Sequence, residues 1–406
     1  MSTSTRYQRS YAMFEQAKKI IPGGVQASRR PLLHGRSPVY LERARGCRCW
    51  DVDGNEYIDY SLSLGPIILG YAHPRVDEAA IRQLRQGIVF TFNHPLQNAL
   101  AEKLVSHIPS AEMATFFKNG SDATSAAVRV ARVYTGRERV ARCGYHGWHD
   151  WCNLGAKGVP AALKGQTVAF EAAKPDTLEA ALSAHPGQFA AVIVAPETVC
   201  PPQADTFRRL IDLAHRHGAV FILDEVKTGF RMGLGGIQGR LGIAPDLTTL
   251  SKAMANGYPI AALAGTAEVM RAADEVHISA TFNGEAVSMA ASLATIEVLE
   301  QPGNLEHIWE MGERLISGLN ALAAKHGIDA KARAEPLPPM PFMRFQGEGE
   351  EVKRLREEFY AEVIAQGVLL HPGHVWFISL AHTEEDIERT LEVADAAFDA
   401  AVERAG

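Results

Sequence analysis

The segment Ala219-Val220-Phe221-Ile222-Leu223 is apolar at every position and ends on a carboxylate, Asp224. A strand with one wet face alternates polar and apolar residues. A run without alternation belongs to a strand covered on both faces, as in a parallel sheet flanked by helices. Strand-like runs ending at Phe117, Arg142 and Val194 alternate with helical stretches such as Ala204 to His217. That order predicts an α/β fold built on a mainly parallel, helix-covered sheet. Open sheets of this kind bind ligands beyond the carboxyl ends of their strands, so Asp224 stands at the expected rim.

Lys252 follows a second apolar run, Leu247-Thr248-Thr249-Leu250-Ser251, and opens into a turn carrying Gly257 and Pro259. Singly, Asp224 also reads as a turn or helix cap and Lys252 as a solvated charge. Together they suit a heterocyclic nitrogen held by the acid and an aldehyde captured by the amine. Two further segments fit the same chemistry. Strand-like Met113-Ala114-Thr115-Phe116-Phe117 runs through Lys118-Asn119 into Gly120-Ser121, and an Ala/Val-rich helix is predicted from Ser121 to about Arg132. Gly120 allows close backbone approach, Ser121 offers a hydroxyl, and the helix start offers free N–H groups for a phosphate. The alternative is that Ser121 or Asp122 only caps the helix. In Cys143-Gly144-Tyr145-His146-Gly147-Trp148-His149-Asp150-Trp151, aromatics between glycines at a strand end can lie flat on a ligand ring. His146, His149 and Asp150 lack a second ligand cluster at metal spacing, so no metal is expected.

These segments resemble the class III, fold type I, pyridoxal-phosphate aminotransferases, and within them the glutamate-1-semialdehyde aminomutase-like subgroup. The resemblance spans nearly the whole chain. It includes Ile21-Pro22-Gly23-Gly24-Val25, Trp50-Asp51-Val52-Asp53-Gly54, Gly65-Pro66-Ile67-Ile68-Leu69-Gly70, Leu223-Asp224-Glu225-Val226-Lys227-Thr228-Gly229-Phe230-Arg231, Leu250-Ser251-Lys252 and Ala381-His382-Thr383-Glu384. It implies pyridoxal 5′-phosphate as cofactor, with Lys252 forming the internal aldimine and then moving a proton, and Asp224 keeping the pyridine nitrogen protonated. It further implies Tyr145 and Val226 on the two ring faces, and Gly120 and Ser121 on the phosphate. Thr281, in Ser279-Ala280-Thr281-Phe282-Asn283-Gly284, would complete the phosphate site of a partner subunit, giving a homodimer with shared active sites. Arg30 lies where the subgroup places an arginine for the substrate carboxylate; it also reads as one of two solvated charges with Arg29.

The 406 residues allow two lobes. Residues 1–60 are expected to form the N-terminal segment of a small α+β domain, 61–290 the large cofactor-binding domain, and 291–406 the C-terminal part of the small one. A helix from about Glu285 to Glu300 would link them. Five cysteines without a CxxC pair suggest reduced thiols and a cytoplasmic protein. The net charge of −6, with no basic stripe, argues against nucleic acid, and no apolar stretch approaches a membrane span.

The partners expected are a small-molecule amino donor and an oxo acid or other carbonyl acceptor. The stretch Val194-Ala195-Pro196-Glu197-Thr198-Val199-Cys200-Pro201 departs from the aminomutase pattern: it is shorter, with Ala195 at an acidic position and no asparagine. Val89-Phe90-Thr91-Phe92-Asn93-His94 departs too, in a loop that gates the aminomutase pocket. Intermolecular transamination is therefore preferred, with aminomutation or another isomerisation, or a non-catalytic protein of the same fold, as alternatives. Phe90, Phe92, His94, Trp148 and Trp376 are candidates to line an aromatic-accepting pocket.

Overall fold

The apolar run ending at Asp224 sits where its burial demands, at the middle of a seven-stranded sheet. The computed structural model describes residues 5–26, 30–328, 332–347 and 349–405. Across the sheet the strands run Met113–Phe117, Ala261–Gly265, Leu247–Leu250, Val220–Asp224, Phe189–Val194, Arg139–Cys143 and Thr167–Ala169. Ala261–Gly265 is antiparallel to both of its neighbours, and the other pairs are parallel. Phe189–Val194, Val220–Asp224 and Leu247–Leu250 are buried at every residue, which explains why none of them alternates polar and apolar residues. Two reversals restore direction, so Met113–Phe117 again points the same way as the parallel strands. The residues following Phe117, Cys143, Val194, Asp224 and Leu250 therefore share one edge. The sequence pattern did not anticipate Ala261–Gly265, because Ala-Ala-Leu-Ala-Gly has no β-branched or aromatic residue.

The helix Gly120–Thr135 packs Ala123, Ala126, Ala127, Val130 and Ala131 onto this sheet. Its start is fastened by Asp122, whose carboxylate accepts from the Asn119 N–H at 3.0 Å. Its end is set by Gly136 in the left-handed region (φ 66°), with its N–H bonded to the Arg132 carbonyl.

Contacts divide the chain into two units, Pro74–Leu305 and the pair Met1–His73 with Glu306–Gly406. These divisions fall at 73 and 305, against the expected 60 and 290. The helix Ala286–Leu299 explains the second difference. It is buried nearly all round and gives Ser292 Oγ to the Met254 carbonyl at 2.8 Å, so it belongs with the large sheet. Residues 61–73 go the other way, tied by Leu380 N–H to the Ile68 carbonyl and Tyr71 N–H to the Gly46 carbonyl, both at 2.7 Å.

The smaller unit has a sheet of Leu41–Arg45, Arg48–Asp51, Glu56–Asp59 and Val368–Leu369. Val368 pairs parallel with Ile58, which joins the two chain segments of the unit. Helices Gln8–Ala17, Asn304–Lys325, Glu350–Ala365 and Glu384–Ala405 belong to it as well, with a hairpin of Ala332–Ala334 and Met343–Phe345. Trp376 corrects one expectation. It is fully buried in this unit, edge-on to Phe342 and Tyr360, with Nε1 donating to the His371 carbonyl, so it lines no open pocket.

Candidate active site

Asp224 closes the central strand and is almost fully buried, at 3% exposure. A carboxylate there is costly unless hydrogen-bonded, and three donors surround it. His146 Nδ1 lies 2.6 Å from Oδ2, Thr249 Oγ1 donates to Oδ1 at 2.9 Å, and the Val226 N–H donates to Oδ1 at 3.2 Å. The other ring nitrogen of His146, Nε2, faces the Cys143 carbonyl at 3.1 Å. The His146 carbonyl in turn accepts from Thr124 Oγ1 at 2.7 Å. The helix Gly120–Thr135, the loop after Cys143 and the central strand are thereby locked into one network.

The histidine trio does not converge on a common point. His146 is committed to Asp224, while His149 Nδ1 pairs with Ser125 Oγ at 2.6 Å. Among the described residues no group of three or more His, Cys, Asp or Glu side chains is arranged to hold a metal. Sequence reading missed His146 as Asp224's partner. The available signal was its place just past a strand of the same parallel set.

Lys252 begins a tight turn after Leu247–Leu250 and adopts φ 47°, a left-handed conformation uncommon outside glycine. Such strain gathers at functional positions. Burial, and next the cation of Lys227, pushes its amine down to about 8, with Glu197 and Asp224 opposing and Arg231 adding to the fall. A lysine tuned this way can serve as a nucleophile and as a proton carrier near neutral pH.

Gly120 and Val226 meet at this edge. A Cβ on Gly120 would lie 2.8 Å from Val226 Cγ1, so only glycine lets the helix start pack this closely against the valine. Because Asp122 fastens the helix start, the cap does not require Ser121, and the first N–H groups of the helix face the same edge. Gly147, at φ 111°, packs against Ser121 so closely that any side chain there would strike its hydroxyl. Tyr145 is 66% exposed, on the loop after Arg139–Cys143. The donor set thus fits a phosphorylated heterocyclic aldehyde: an acid for a ring nitrogen, an amine for the aldehyde, and a glycine-led helix start for the phosphate.

Asp224, Val226, Lys252, Gly120, Ser121 and Tyr145 all stand on this edge of the larger unit. Thr281 is exposed on a turn of the same unit, and Arg30 is exposed in the smaller unit.

Comparisons with known proteins agree with this chemistry. A 3-aminobutyryl-CoA aminotransferase from Cloacimonas acidaminovorans is 38% identical over 403 residues, covering 97% of both chains. A glutamate-1-semialdehyde 2,1-aminomutase from Desulforamulus reducens is 37% identical over 426 residues, covering 97% of this chain and 98% of its own. The solved PLP internal aldimine form of the FumI protein of Sphingopyxis sp. MTA144 matches with a TM-score of 0.91 at 32% identity, covering 97% of each chain. Residues 33–393 match the family model for aminotransferase class-III, and the chain belongs to that family.

Proposed function

We propose that this class-III aminotransferase moves an amino group between a small-molecule amino donor and an oxo acid or other carbonyl acceptor. Pyridoxal 5′-phosphate would be held at the edge bearing Asp224, Lys252 and the start of the helix Gly120–Thr135. The observation carrying this reading is the coincidence there of a buried, triply hydrogen-bonded carboxylate and a lysine amine brought down to about 8. When bound, the cofactor supplies an aldehyde that takes up the amino group and a ring that accepts the electron pair released at the substrate carbon.

Asp224 is assigned to the ring nitrogen, which it keeps protonated. Lys252 is assigned to tether the cofactor through Nζ and, when displaced, to carry the proton to and from the substrate carbon. Val226 and Tyr145 would cover the two faces of the ring. Gly120 and Ser121 would bind the phosphate through backbone N–H groups and a hydroxyl. Arg30 is assigned to a substrate carboxylate, for which a planar guanidinium is suited.

The enzyme would work as a homodimer, with Thr281 of each copy completing the other's phosphate site. Support comes from the apolar surface near that threonine. Phe282 is 59% exposed and Phe92 86% exposed, and the Ala286 N–H bonds to the Ile88 carbonyl at 2.9 Å, joining the two loops. A cytoplasmic location is supported by the five cysteines, four of them buried, which form no disulfide among the described residues; no helix among those residues is long and apolar enough to cross a membrane.

Borohydride reduction of the cofactor-loaded enzyme, followed by peptide mapping, tests the assignment of Lys252. The expected result is a single phosphopyridoxyl label at residue 252; an unlabelled Lys252 would refute the assignment. The second reading, aminomutation, is favoured by the 37% identical aminomutase. Excess amino donor without acceptor separates the two. A transaminase releases oxo acid in an amount matching the cofactor. An isomerised amino compound without oxo acid would instead establish the second reading.

A further inference from the structure

Beside Asp224 and Lys252 lies a charged pair that the roles above do not use. Lys227 Nζ is 2.6 Å from Glu197 Oε1, and the two side chains are only 19% and 13% exposed. Lys227 follows Val226 in the turn after the central strand. Glu197 sits in the short Pro196–Thr198 turn after the neighbouring parallel strand, Phe189–Val194. Both therefore stand at the edge where Lys252 follows the next strand.

Neither side chain is needed to build its own turn. The Glu197 turn is closed by Thr198 N–H to the Ala195 carbonyl and Val199 N–H to the Pro196 carbonyl, both at 3.1 Å, with Thr198 Oγ1 adding a bond to the Ala195 carbonyl. The second carboxylate oxygen of Glu197, Oε2, is buried without a hydrogen-bond partner. The Lys227 turn is closed by Gly229 N–H to the Glu225 carbonyl, and the Glu225 carboxylate secures Thr228, Ile237 and Gln238. A largely buried ion pair with an unsatisfied oxygen contributes little net stability, since desolvation offsets most of the attraction. Its value must lie in the field it makes, which so little solvent screens weakly.

We infer that Lys227, anchored by Glu197, is a positioning pair for the Lys252 amine: the two charges oppose each other at Lys252 and set how readily it gives up its proton. The inference rests on the role of Lys252 proposed above. The charged groups acting on that amine are Lys227 and Arg231, which disfavour its protonated form, and Glu197 and Asp224, which favour it. Lys227 stands first among these charges. Its own position is fixed by Glu197 rather than by the backbone, so the pair is an adjustable part of the site.

The test is the pH dependence of Lys252 labelling by trace acetic anhydride in the full-length, cofactor-stripped chain, read residue by residue by mass spectrometry. Lys227→Met should move the Lys252 midpoint up by about one pH unit, giving roughly tenfold slower labelling at pH values below both midpoints. Glu197→Gln keeps an acceptor for Lys227 but removes the negative charge, and should move the midpoint down. The double variant should return close to wild type, and it also covers the case in which a single variant leaves too costly an unpaired charge to fold. A purely structural pair would shift neither midpoint, or both in one direction, and either result overturns the inference. Borohydride labelling of the same proteins separates the two levels. Label at Lys252 with unmoved midpoints sinks only this inference, whereas label elsewhere in the wild type sinks the parent reading with it.

Discussion

His146→Phe tests most directly whether the buried network holds Asp224 for the cofactor. The substitution keeps a flat ring beside Trp151, against which His146 is stacked at 6.2 Å, but removes both polar contacts. Asp224 loses the shortest of three bonds and keeps Thr249 and the Val226 N–H. A hydrogen bond to a buried carboxylate is worth about 1.5–3 kcal/mol, so the loss at Asp224 is about 2 kcal/mol. That corresponds to roughly 30-fold in any equilibrium that needs the carboxylate in place. Cofactor dissociation, followed by absorbance after dilution, should therefore be about 30-fold more favourable in His146→Phe. Thr249→Val removes a longer bond to the same carboxylate, worth about 1.5 kcal/mol at the low end of that range, and should weaken binding about tenfold. Melting of the cofactor-free proteins separates this effect from general unfolding. If both variants retained cofactor within twofold of wild type, the claim that these groups orient Asp224 for the ring nitrogen would be wrong.

Other outcomes follow from the same geometry. Gly120→Ala places a Cβ 2.8 Å from Val226 Cγ1, costing about 1–3 kcal/mol of overpacking and weakening cofactor retention; adding Val226→Ala should recover most of the loss, and no recovery would show that the crowding lies elsewhere. Glu358, bonded to Arg36 and also to Arg404, is held down to about 2, so its contribution is full above the ordinary glutamate range and lost as pH falls through it toward 2. With both arginines more than a third exposed, Glu358→Gln should remove about 1 kcal/mol at pH 7 and nearly nothing at pH 2, measured by denaturant melts. Phe92→Asp with Phe282→Asp should yield monomers of low activity in light scattering; a fully active monomer would dismiss the shared site.

Much of the site was legible along the chain because its parts are local. A short unbroken apolar run rich in β-branched and aromatic residues fits a strand covered on both faces, which placed Asp224 at a strand's end. Lys252 and Gly120 were placed by the same reasoning from the runs before them. The helix starting near residue 120 was readable from its Ala/Val-rich composition and its capping chemistry.

What stayed hidden depends on positions far apart in the chain. His146 meets Asp224 across 78 positions, and no period or motif spacing encodes that contact. Ala261–Gly265 is a strand only because two neighbours flank it, against its own propensity. Trp376 carries the same indole whether it lines a pocket or fills a core, and packing put it in the core. The sequence by itself determined which residues stand at strand ends, since backbone periodicity is a local property. Only the tertiary structure decided which side chains face one another across those ends, and so which carboxylate is held, which amine is perturbed, and by which charges.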